Sequence, residues 1–270
     1  MASRCAKRDD VPTITLISIV PSHFCEKARW ALEFSGVEYK EQNYAPVFHS
    51  LRMALLGGGT TPTLIMQDKV LKDSTEILKW LDAQETTASK LYPQNPELCS
   101  QAEAWEELFD TRLGPATRRV AYFYLIDAPE LFYQINSTKL GAVQKTILRA
   151  LQSPLRGLIR KGLRVNAVSK QLGDTALEEV LLRVEDALSD GRKFLVGEQF
   201  SAADLTFASL LSPLLGSETL RVHRGAADLR ALWPQGFLDT IEVVRARPAG
   251  KYALRIIDTH RSRPPSVQSP

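Results

Sequence analysis

The sequence predicts an α/β domain followed by an all-α domain, and two observations lead to this fold class. Up to residue 85, short apolar runs rich in β-branched residues alternate with stretches of helical spacing, which gives the element order βαβαββα. After a polar segment that contains two prolines, the apolar residues of every later stretch repeat with the helical period. We therefore expect an α/β domain at 11–85, a linker at 86–96 and a helical domain at 97–258.

The elements of the α/β domain follow from local patterns. Residues 11–20 are apolar and rich in β-branched residues, and Pro21 and Ser22 follow them, which is typical of a buried strand that ends in a turn. Apolar side chains recur at helical spacing over 25–35, and Gly36 is a common helix stop. By the same criteria we expect further strands at 37–44, 63–66 and 70–71, and further helices at 48–56 and 74–83.

The rest of the chain has the period of helices. The longest predicted helix covers 97–126, with a kink or break at Gly114–Pro115 because proline removes a backbone donor. The last residues, 259–270, are polar and rich in proline and serine, and we expect them to be disordered. Other helical segments are predicted at 138–170, 175–188, 202–215 and 237–244.

Composition excludes several classes of protein. The chain is 44% hydrophobic and 24% charged, as globular proteins are, and no apolar run reaches the ~18–20 residues that span a bilayer. The first ten residues lack the apolar segment of a secretory signal, so we expect a cytoplasmic protein. The cysteines (Cys5, Cys25 and Cys99) form no C-x-x-C pair, and no histidines and cysteines have the spacing of metal ligands. We therefore expect free thiols and no metal.

Charge is unevenly distributed along the chain. The net charge is +3, yet the segment from Leu131 to Gly173 has no acidic residue. Three arginines within it recur every fourth residue, which would align them on one helical face beside an apolar face. The face is either solvated and balanced by acids elsewhere, or the region 139–170 contacts an anionic membrane surface or an acidic substrate. No nucleic-acid-binding motif accompanies the charge, so nucleic acid is not an expected partner. The eight basic residues are Lys139, Lys145, Arg149, Arg156, Arg160, Lys161, Arg164 and Lys170.

The first candidate site lies where the first strand meets the first helix. Ser22 precedes that helix and Cys25 lies three residues later. Free N–H groups at a helix N-terminus stabilise anions, and a hydroxyl or thiol there can hydrogen-bond a thiolate or become one. Each residue also has a structural interpretation, Ser22 as an N-cap and Cys25 as a small buried apolar residue.

Two further motifs are candidates for ligand binding. Pro62 opens a strand after the turn at Thr61, so the bond between them is a candidate cis peptide that aims nearby backbone polar groups outward. Asp73 and Ser74 open the helix at 74–83, where they either cap the helix or bind an ammonium and a carboxylate.

In this order, these motifs resemble the glutathione S-transferase family, and the resemblance covers about residues 13–258. The pattern comprises an active-site serine, cysteine or tyrosine, a cis-proline, an acidic-Ser pair, and later an S/T-x-x-D helix cap. This sequence differs by having Thr60 where the family often has a basic residue, by the S-x-x-C pattern, and by a longer 131–173 region. Ser22, Pro62, Asp73–Ser74 and Ser201-x-x-Asp204 carry the resemblance.

The resemblance implies a thioredoxin-like N-terminal domain and an all-α helical-bundle C-terminal domain, with glutathione as co-substrate and a homodimer as the assembly. It implies that the γ-glutamyl end of glutathione lies on Asp73 and Ser74, its backbone on Thr61 beside Pro62, and its sulfur near Ser22. The thiolate would attack a small electrophile held by the helical domain. Candidates to hold that electrophile are Trp105, Phe109, Tyr122 and Tyr124.

Two alternatives to the transferase stay open on the sequence alone. One is a glutathione-dependent thiol–disulfide reductase that uses Cys25, and it requires a thiol that can form a mixed disulfide with glutathione. The other is a binding or scaffold protein that keeps the fold without catalysis.

Overall fold

The structure is a computed structural model, and it describes residues 14–46, 48–85, 89–216 and 229–261. The order of elements in the N-terminal region is βαβαββα, so the predicted thioredoxin-like fold is confirmed. The predicted strand at 11–20 is shorter, and its first three residues lie outside the described residues. The elements are β1 (Thr15–Ile19), α1 (His23–Phe34), β2 (Lys40–Tyr44), α2 (Phe48–Leu55), β3 (Thr63–Ile65), β4 (Val70–Leu71) and α3 (Ser74–Ala83).

Four strands form one mixed sheet in the order β2-β1-β3-β4. β1 pairs in parallel with β2, with Thr15 opposite Lys40, and antiparallel with β3, with Leu16 opposite Leu64. Central strand β1 is buried at its middle residues, whereas β2 and β4 form the edges. This arrangement places the carboxyl end of β1, and so the start of α1, in the middle of the domain.

The C-terminal region is helical, as predicted. Its helices are joined by a π-helical turn at Phe109–Leu113 and by 3₁₀ turns at Ser212–Leu214 and Arg230–Leu232. The helices are α4 (Pro96–Leu108), α5 (Gly114–Leu125), α6 (Pro129–Ser137), α7 (Ala142–Gly162), α8 (Ala167–Ala187), α9 (Ala202–Leu211), α10 (Gln235–Ala246) and α11 (Pro248–His260).

The predicted break at Gly114–Pro115 is replaced by a wider helical turn. The Gly114 N–H bonds the carbonyl of Phe109, five residues back, and α5 then begins at Gly114. Pro115 therefore lies in the first turn of a new helix, where its missing N–H leaves no hydrogen bond unmade.

Other boundaries also differ from the sequence prediction. The basic stretch at 138–170 is divided between α7 and α8, because the backbone of Arg164 is left-handed, with φ 52°, and Asn166 caps α8. The Asn166 side chain accepts a 2.8 Å hydrogen bond from the Ser169 N–H. Helices α6 and α11 were not predicted, and α11 continues to His260, past the start of the tail expected to be disordered at 259–270.

Helix α1 packs against α3 on one side and against α9 of the helical domain on the other. Every residue from Cys25 to Leu32 is buried, although three of them carry charge. Lys27 Nζ lies 2.8 Å from Glu106 and 2.7 Å from Asp110, both in the helical domain. Buried charges need such partners, and removing one typically costs about 3–5 kcal/mol, so these pairs hold the two domains together.

A second buried ion pair ties the end of α11 to α1. Arg261 lies 2.8 Å from Glu26 and 2.5 Å from Glu33, and all three side chains are almost fully buried. The Trp30 indole N–H, one turn along α1, donates to the His260 carbonyl at 3.2 Å. Helix α1 is therefore fixed by both the first and the last helices of the C-terminal region.

The first turn of α1 touches α5 directly. His23 Nε2 lies 3.0 Å from the Gly114 carbonyl oxygen. A Cβ on Gly114 would lie only 2.5 Å from the Phe24 ring, so the glycine allows this close approach.

Among the described residues, no helix is both long enough and apolar enough to cross a bilayer.

We expect Gly114→Ala to destabilise the fold, because the added methyl group collides with the half-buried Phe24 ring of α1 and also approaches Leu210 of α9. Overpacking of this kind costs about 1–3 kcal/mol. Gly157→Ala is the matched control, since a Cβ there meets open space in the middle of α7 and should stabilise the helix by about 0.5–1 kcal/mol. Thermal unfolding of both variants tests the prediction, which fails if Gly114→Ala unfolds at or above the wild-type midpoint.

Candidate functional site

A cavity of about 370 Å³ lies between the two domains, at the start of α1. The α/β domain contributes Ser22, His49 and Thr61 to its wall, and the helical domain contributes Arg118 and Tyr122. Helix α7 forms the remaining side through residues near its C-terminal end. Ser22 and Thr61, two of the residues selected from the sequence, are therefore brought together in one cavity.

Ser22 is both an N-cap and a cavity residue. Its hydroxyl oxygen accepts a hydrogen bond from the Cys25 N–H at 3.3 Å, as an N-cap does. The side chain is half-buried and lines the cavity at the positive end of the α1 dipole. Because the oxygen accepts this bond, the hydroxyl hydrogen remains available to an anion in the cavity.

Cys25 lies behind Ser22 and has no exposed surface. Burial raises the pKa of its thiol, and Arg29 together with the Ser22 and Thr61 hydroxyls only partly opposes this effect. Reactive cysteines are partly exposed and have a lowered thiol pKa, so Cys25 has neither property of a nucleophile.

The peptide bond between Thr61 and Pro62 is cis, as the sequence suggested. Pro62 is buried, whereas Thr61 and the preceding Thr60 line the cavity. Thr60 stands where the family resemblance implied a basic side chain, and it leaves this part of the wall uncharged.

The acidic-Ser pair caps α3 and lies outside the residues that line the cavity. Asp73 Oδ1 accepts hydrogen bonds from the N–H groups of Thr75, at 2.8 Å, and Glu76, at 3.3 Å. Asp73 is exposed, while Ser74 is 2% exposed. Within the described residues, Asp73 Oδ2 and the Ser74 hydroxyl have no hydrogen-bond partner, so both can accept a ligand.

His23 lines both the large cavity and a smaller one of about 60 Å³. Burial, together with the nearby Arg118, lowers the pKa of His23 to about 3, and the hydrogen bond to Gly114 opposes this only in part. The ring is therefore neutral near pH 7, and it donates its Nε2–H to the Gly114 carbonyl.

Of the four aromatic residues expected to hold an electrophile, Tyr122 lines the cavities. Trp105 and Phe109 stack on each other at 5.3 Å, and Phe109 is fully buried. Tyr124 packs on Phe237, with ring centroids 5.3 Å apart. These three aromatic residues therefore pack between helices, and they are not among the described residues that line these cavities.

Several cavity residues belong to no recognisable sequence motif. His49 and Arg118 lie on helices whose patterns show only an apolar face, and Trp233 and Phe237 line the smaller cavity from α10 and the turn before it. Their positions depend on how the helices pack, which local spacing does not report.

Acidic residues elsewhere balance part of the basic segment. Arg149 pairs with Glu130, Arg160 with Asp127, and Lys170 with Asp174. The predicted face of three arginines is incomplete, because α7 ends at Gly162 and Arg164 lies beyond it. Arg156 is also engaged, since it donates a 2.8 Å hydrogen bond to the Ile126 carbonyl.

Across the part of the chain that the structure describes, no group of three or more His, Cys, Asp and Glu side chains could hold a metal ion.

Comparison with known proteins identifies the family. Residues 16–89 match the glutathione S-transferase N-terminal domain, and residues 164–220 match the glutathione S-transferase C-terminal domain. The chain belongs to the glutathione S-transferase family. A probable glutathione S-transferase of Nicotiana tabacum is 29% identical over 109 residues, which are 40% of this chain and 50% of that protein. The match therefore spans about half the length of this curated relative.

Solved structures share the fold of this family member. A β-etherase from Sphingobium has a TM-score of 0.56 at 17% identity, covering 90% of this chain and 99% of the other. A glutathione S-transferase from Methylobacterium radiotolerans, in complex with glutathione sulfonate, has a TM-score of 0.51 at 18% identity, covering 89% and 94%. These similarities show that both domains have the glutathione S-transferase fold.

The buried His23 gives a testable dependence of stability on pH. Its pKa is 6.5 in an unfolded chain and about 3 in the fold. Above about pH 6.5 both states are neutral and His23 has no effect. Below that pH the unfolded state binds a proton that the folded state does not, so the free energy of unfolding falls by about 1.4 kcal/mol per pH unit.

We expect His23→Gln to lose less stability than wild type when the pH falls from about 6.5 to 4.5, because the variant lacks this group. Urea unfolding at several pH values gives the two slopes. Equal slopes in the two proteins would show that His23 titrates normally in the fold.

Proposed function

We propose that this protein binds glutathione in the interdomain cavity and activates its thiol for attack on a small electrophile. The observation that carries the proposal is the Ser22 hydroxyl, which lies at the N-terminus of α1 in the cavity wall, next to Thr61 and the cis-proline. Membership of the glutathione S-transferase family supports glutathione as the co-substrate.

Ser22 would act by stabilising the thiolate of glutathione. A hydrogen bond from the hydroxyl to the sulfur favours the charged form and so lowers the pKa of the bound thiol. The partial positive charge at the N-terminus of α1 acts in the same direction. Burial raises the pKa of the Cys25 thiol. Cys25 is therefore not a thiolate that would compete with glutathione for the Ser22 hydroxyl.

The reaction would then be a transfer of the glutathionyl group. The thiol loses its proton to water on binding, and the thiolate sulfur forms a bond to the electrophilic carbon. With an aryl halide, the carbon–halogen bond breaks and the halide leaves with the bonding electron pair. The sulfur would act as the nucleophile throughout, and Ser22 would only donate a hydrogen bond.

The charged ends of glutathione would need partners outside the thiol site. We assign the ammonium of the γ-glutamyl end to Asp73 Oδ2 and its carboxylate to Ser74, both of which lack other partners among the described residues. We assign the glycyl carboxylate to His49, which lines the cavity and whose Nδ1 has no hydrogen-bond partner among the described residues. Burial lowers the pKa of His49, so the imidazole would act as a neutral N–H donor and not as the positive charge that Thr60 does not supply.

The reductase that uses Cys25 is not supported by any contact at this site, since the thiol is buried and its pKa is raised. A binding protein without catalysis would share the geometry, and kinetic measurement separates it from a transferase. A cytoplasmic location, expected from the sequence, and a homodimer, implied by the family resemblance, are further proposals.

We expect Ser22→Ala to raise the pKa of enzyme-bound glutathione and to lower kcat by about ten- to a hundredfold, the usual value of a hydrogen bond to a charged group. Cys25→Ala is the matched control and should retain conjugation, because the thiol does not reach the ligand. Thiolate absorbance against pH and the rate with a model aryl halide provide the measurements. Loss of activity in Cys25→Ala with full activity in Ser22→Ala would favour the reductase.

We expect Asp73→Asn and Ser74→Ala each to weaken glutathione binding by about tenfold or more. Asparagine caps a helix as well as aspartate does, so Asp73→Asn removes the charge while it keeps the cap on α3. Unchanged thermal stability of Asp73→Asn serves as the control. If calorimetry finds wild-type affinity in both variants, the γ-glutamyl end lies elsewhere.

A further inference from the structure

We propose that the electrophile has an aromatic body and one anionic group, and that Arg118 is the residue that binds this anion. The inference rests on the proposed function, since it names the class of the second substrate in the same cavity. It depends on the position of one guanidinium, on its lack of a counterion, and on the character of the surrounding walls.

Arg118 lies where three cavities meet. It lines the large cavity beside Ser22, the small apolar cavity beyond His23, and a third cavity of about 160 Å³ near the end of α7. Tyr122, one turn further along α5, is the other residue that all three share. A ligand in any of these spaces therefore meets the same arginine.

The guanidinium of Arg118 has no ion pair and no hydrogen bond within the described residues. Other arginines of the helical domain do have acidic partners, as Arg112 does with Glu179 and Arg149 with Glu130. Arg118 is exposed to solvent, yet desolvation, with a smaller contribution from Arg119, lowers its pKa. The exposure and the lowered pKa of Arg118 both follow from its place on the wall of a cleft. Solvent reaches the side chain there, yet protein surrounds it closely.

The cavity walls offer no substitute for a counterion. Among the described residues that line the three cavities, none is Asp or Glu, while Arg119 and Arg164 join Arg118 around the third. Walls that carry one sign of charge beside low-dielectric protein attract ligands of the opposite sign. A planar guanidinium forms two parallel hydrogen bonds to a carboxylate, which makes it a selective receptor for that group.

The space next to Arg118 suits an apolar ring. The small cavity is bounded by Leu125, Ile135, Trp233 and Phe237, together with Tyr122. His23 on its wall is neutral and does not add a charge. A cavity of about 150 Å³ holds benzene, so the small cavity of about 60 Å³ would take only the edge of an aromatic ring. The body of the ring would lie in the large cavity against Tyr122, Ile159 and Leu163, with its carboxylate at Arg118 and its other edge toward the sulfur near Ser22.

A matched pair of ligands tests the binding without any reaction. Dinitrobenzoate and dinitrobenzamide have the same ring and differ in charge. We expect wild-type protein to bind the benzoate about tenfold more tightly than the benzamide by calorimetry, with a preference that declines as salt is added. Arg118→Gln should abolish the preference, and Arg118→Lys should keep part of it, since it retains the charge without the planar fork.

Arg112→Gln is the matched control, because it removes the same charge from an exposed surface pair on the neighbouring π-helical turn. It should keep the wild-type preference for the benzoate. The inference is overturned if wild-type protein binds both ligands equally, or if Arg118→Gln retains the preference.

Kinetics with glutathione separates this inference from the proposed function. The substrates are a chlorodinitrobenzoate and the matching chlorodinitrobenzamide, in which sulfur replaces chlorine and chloride leaves with the electron pair. We expect the ratio of kcat/KM, benzoate over benzamide, to fall about tenfold in Arg118→Gln. If neither substrate reacts with wild-type protein, the proposed function fails, and the calorimetry still decides the role of Arg118.

Glutathione itself has carboxylates, so its affinity is measured in the same variants. A loss of glutathione binding in Arg118→Gln, with an unchanged preference between the two benzene derivatives, would assign Arg118 to the co-substrate and overturn the inference.

Discussion

The burial of α1 between the two domains is the constraint on which the rest of the structure depends. Because this helix is covered by α3 on one side and by α9 on the other, its charged residues have no access to water. Lys27 is stabilised there by Glu106 and Asp110, and Glu26 by Arg261, so the partners come from opposite ends of the helical region. The domain interface is therefore an electrostatic arrangement as much as an apolar one.

The same burial explains why the candidate site has little freedom to move. Ser22 begins α1, so the ion pairs that fix the helix also fix the hydroxyl relative to Arg118 on α5. The contact between His23 and the Gly114 carbonyl joins these two helices at their ends. The Ser22 hydroxyl and the neutral His23 imidazole are thus held in place by contacts made outside the cavity, beside the helix that carries Arg118. Such preorganisation is what catalysis by hydrogen bonding requires.

Local sequence patterns were sufficient to predict the order of elements in the α/β domain. The β4 and α3 boundaries were predicted to the residue, and the cis-proline was anticipated. The same patterns also selected Ser22 and Thr61, which lie at junctions between elements and which the structure places in one cavity wall. They failed where tertiary contacts decide. A break was predicted at Gly114, where the chain forms a π-helical turn, and Arg118 is distinguished by its place among three cavities and by the absence of an acid on their described walls. A long basic stretch predicted one face, whereas the left-handed Arg164 divides it between two helices.

The pairing of Arg261 with Glu26 has a consequence for how the chain folds during synthesis. The two residues are 235 positions apart, so the glutamate emerges from the ribosome long before its counterion exists. Throughout that interval the inner face of α1 carries acids that cannot be buried at low cost. The thioredoxin-like domain can form its sheet early, but α1 reaches its final surroundings only after Arg261 has been made. The helix that begins at His23 is thus completed long after its own residues have been translated.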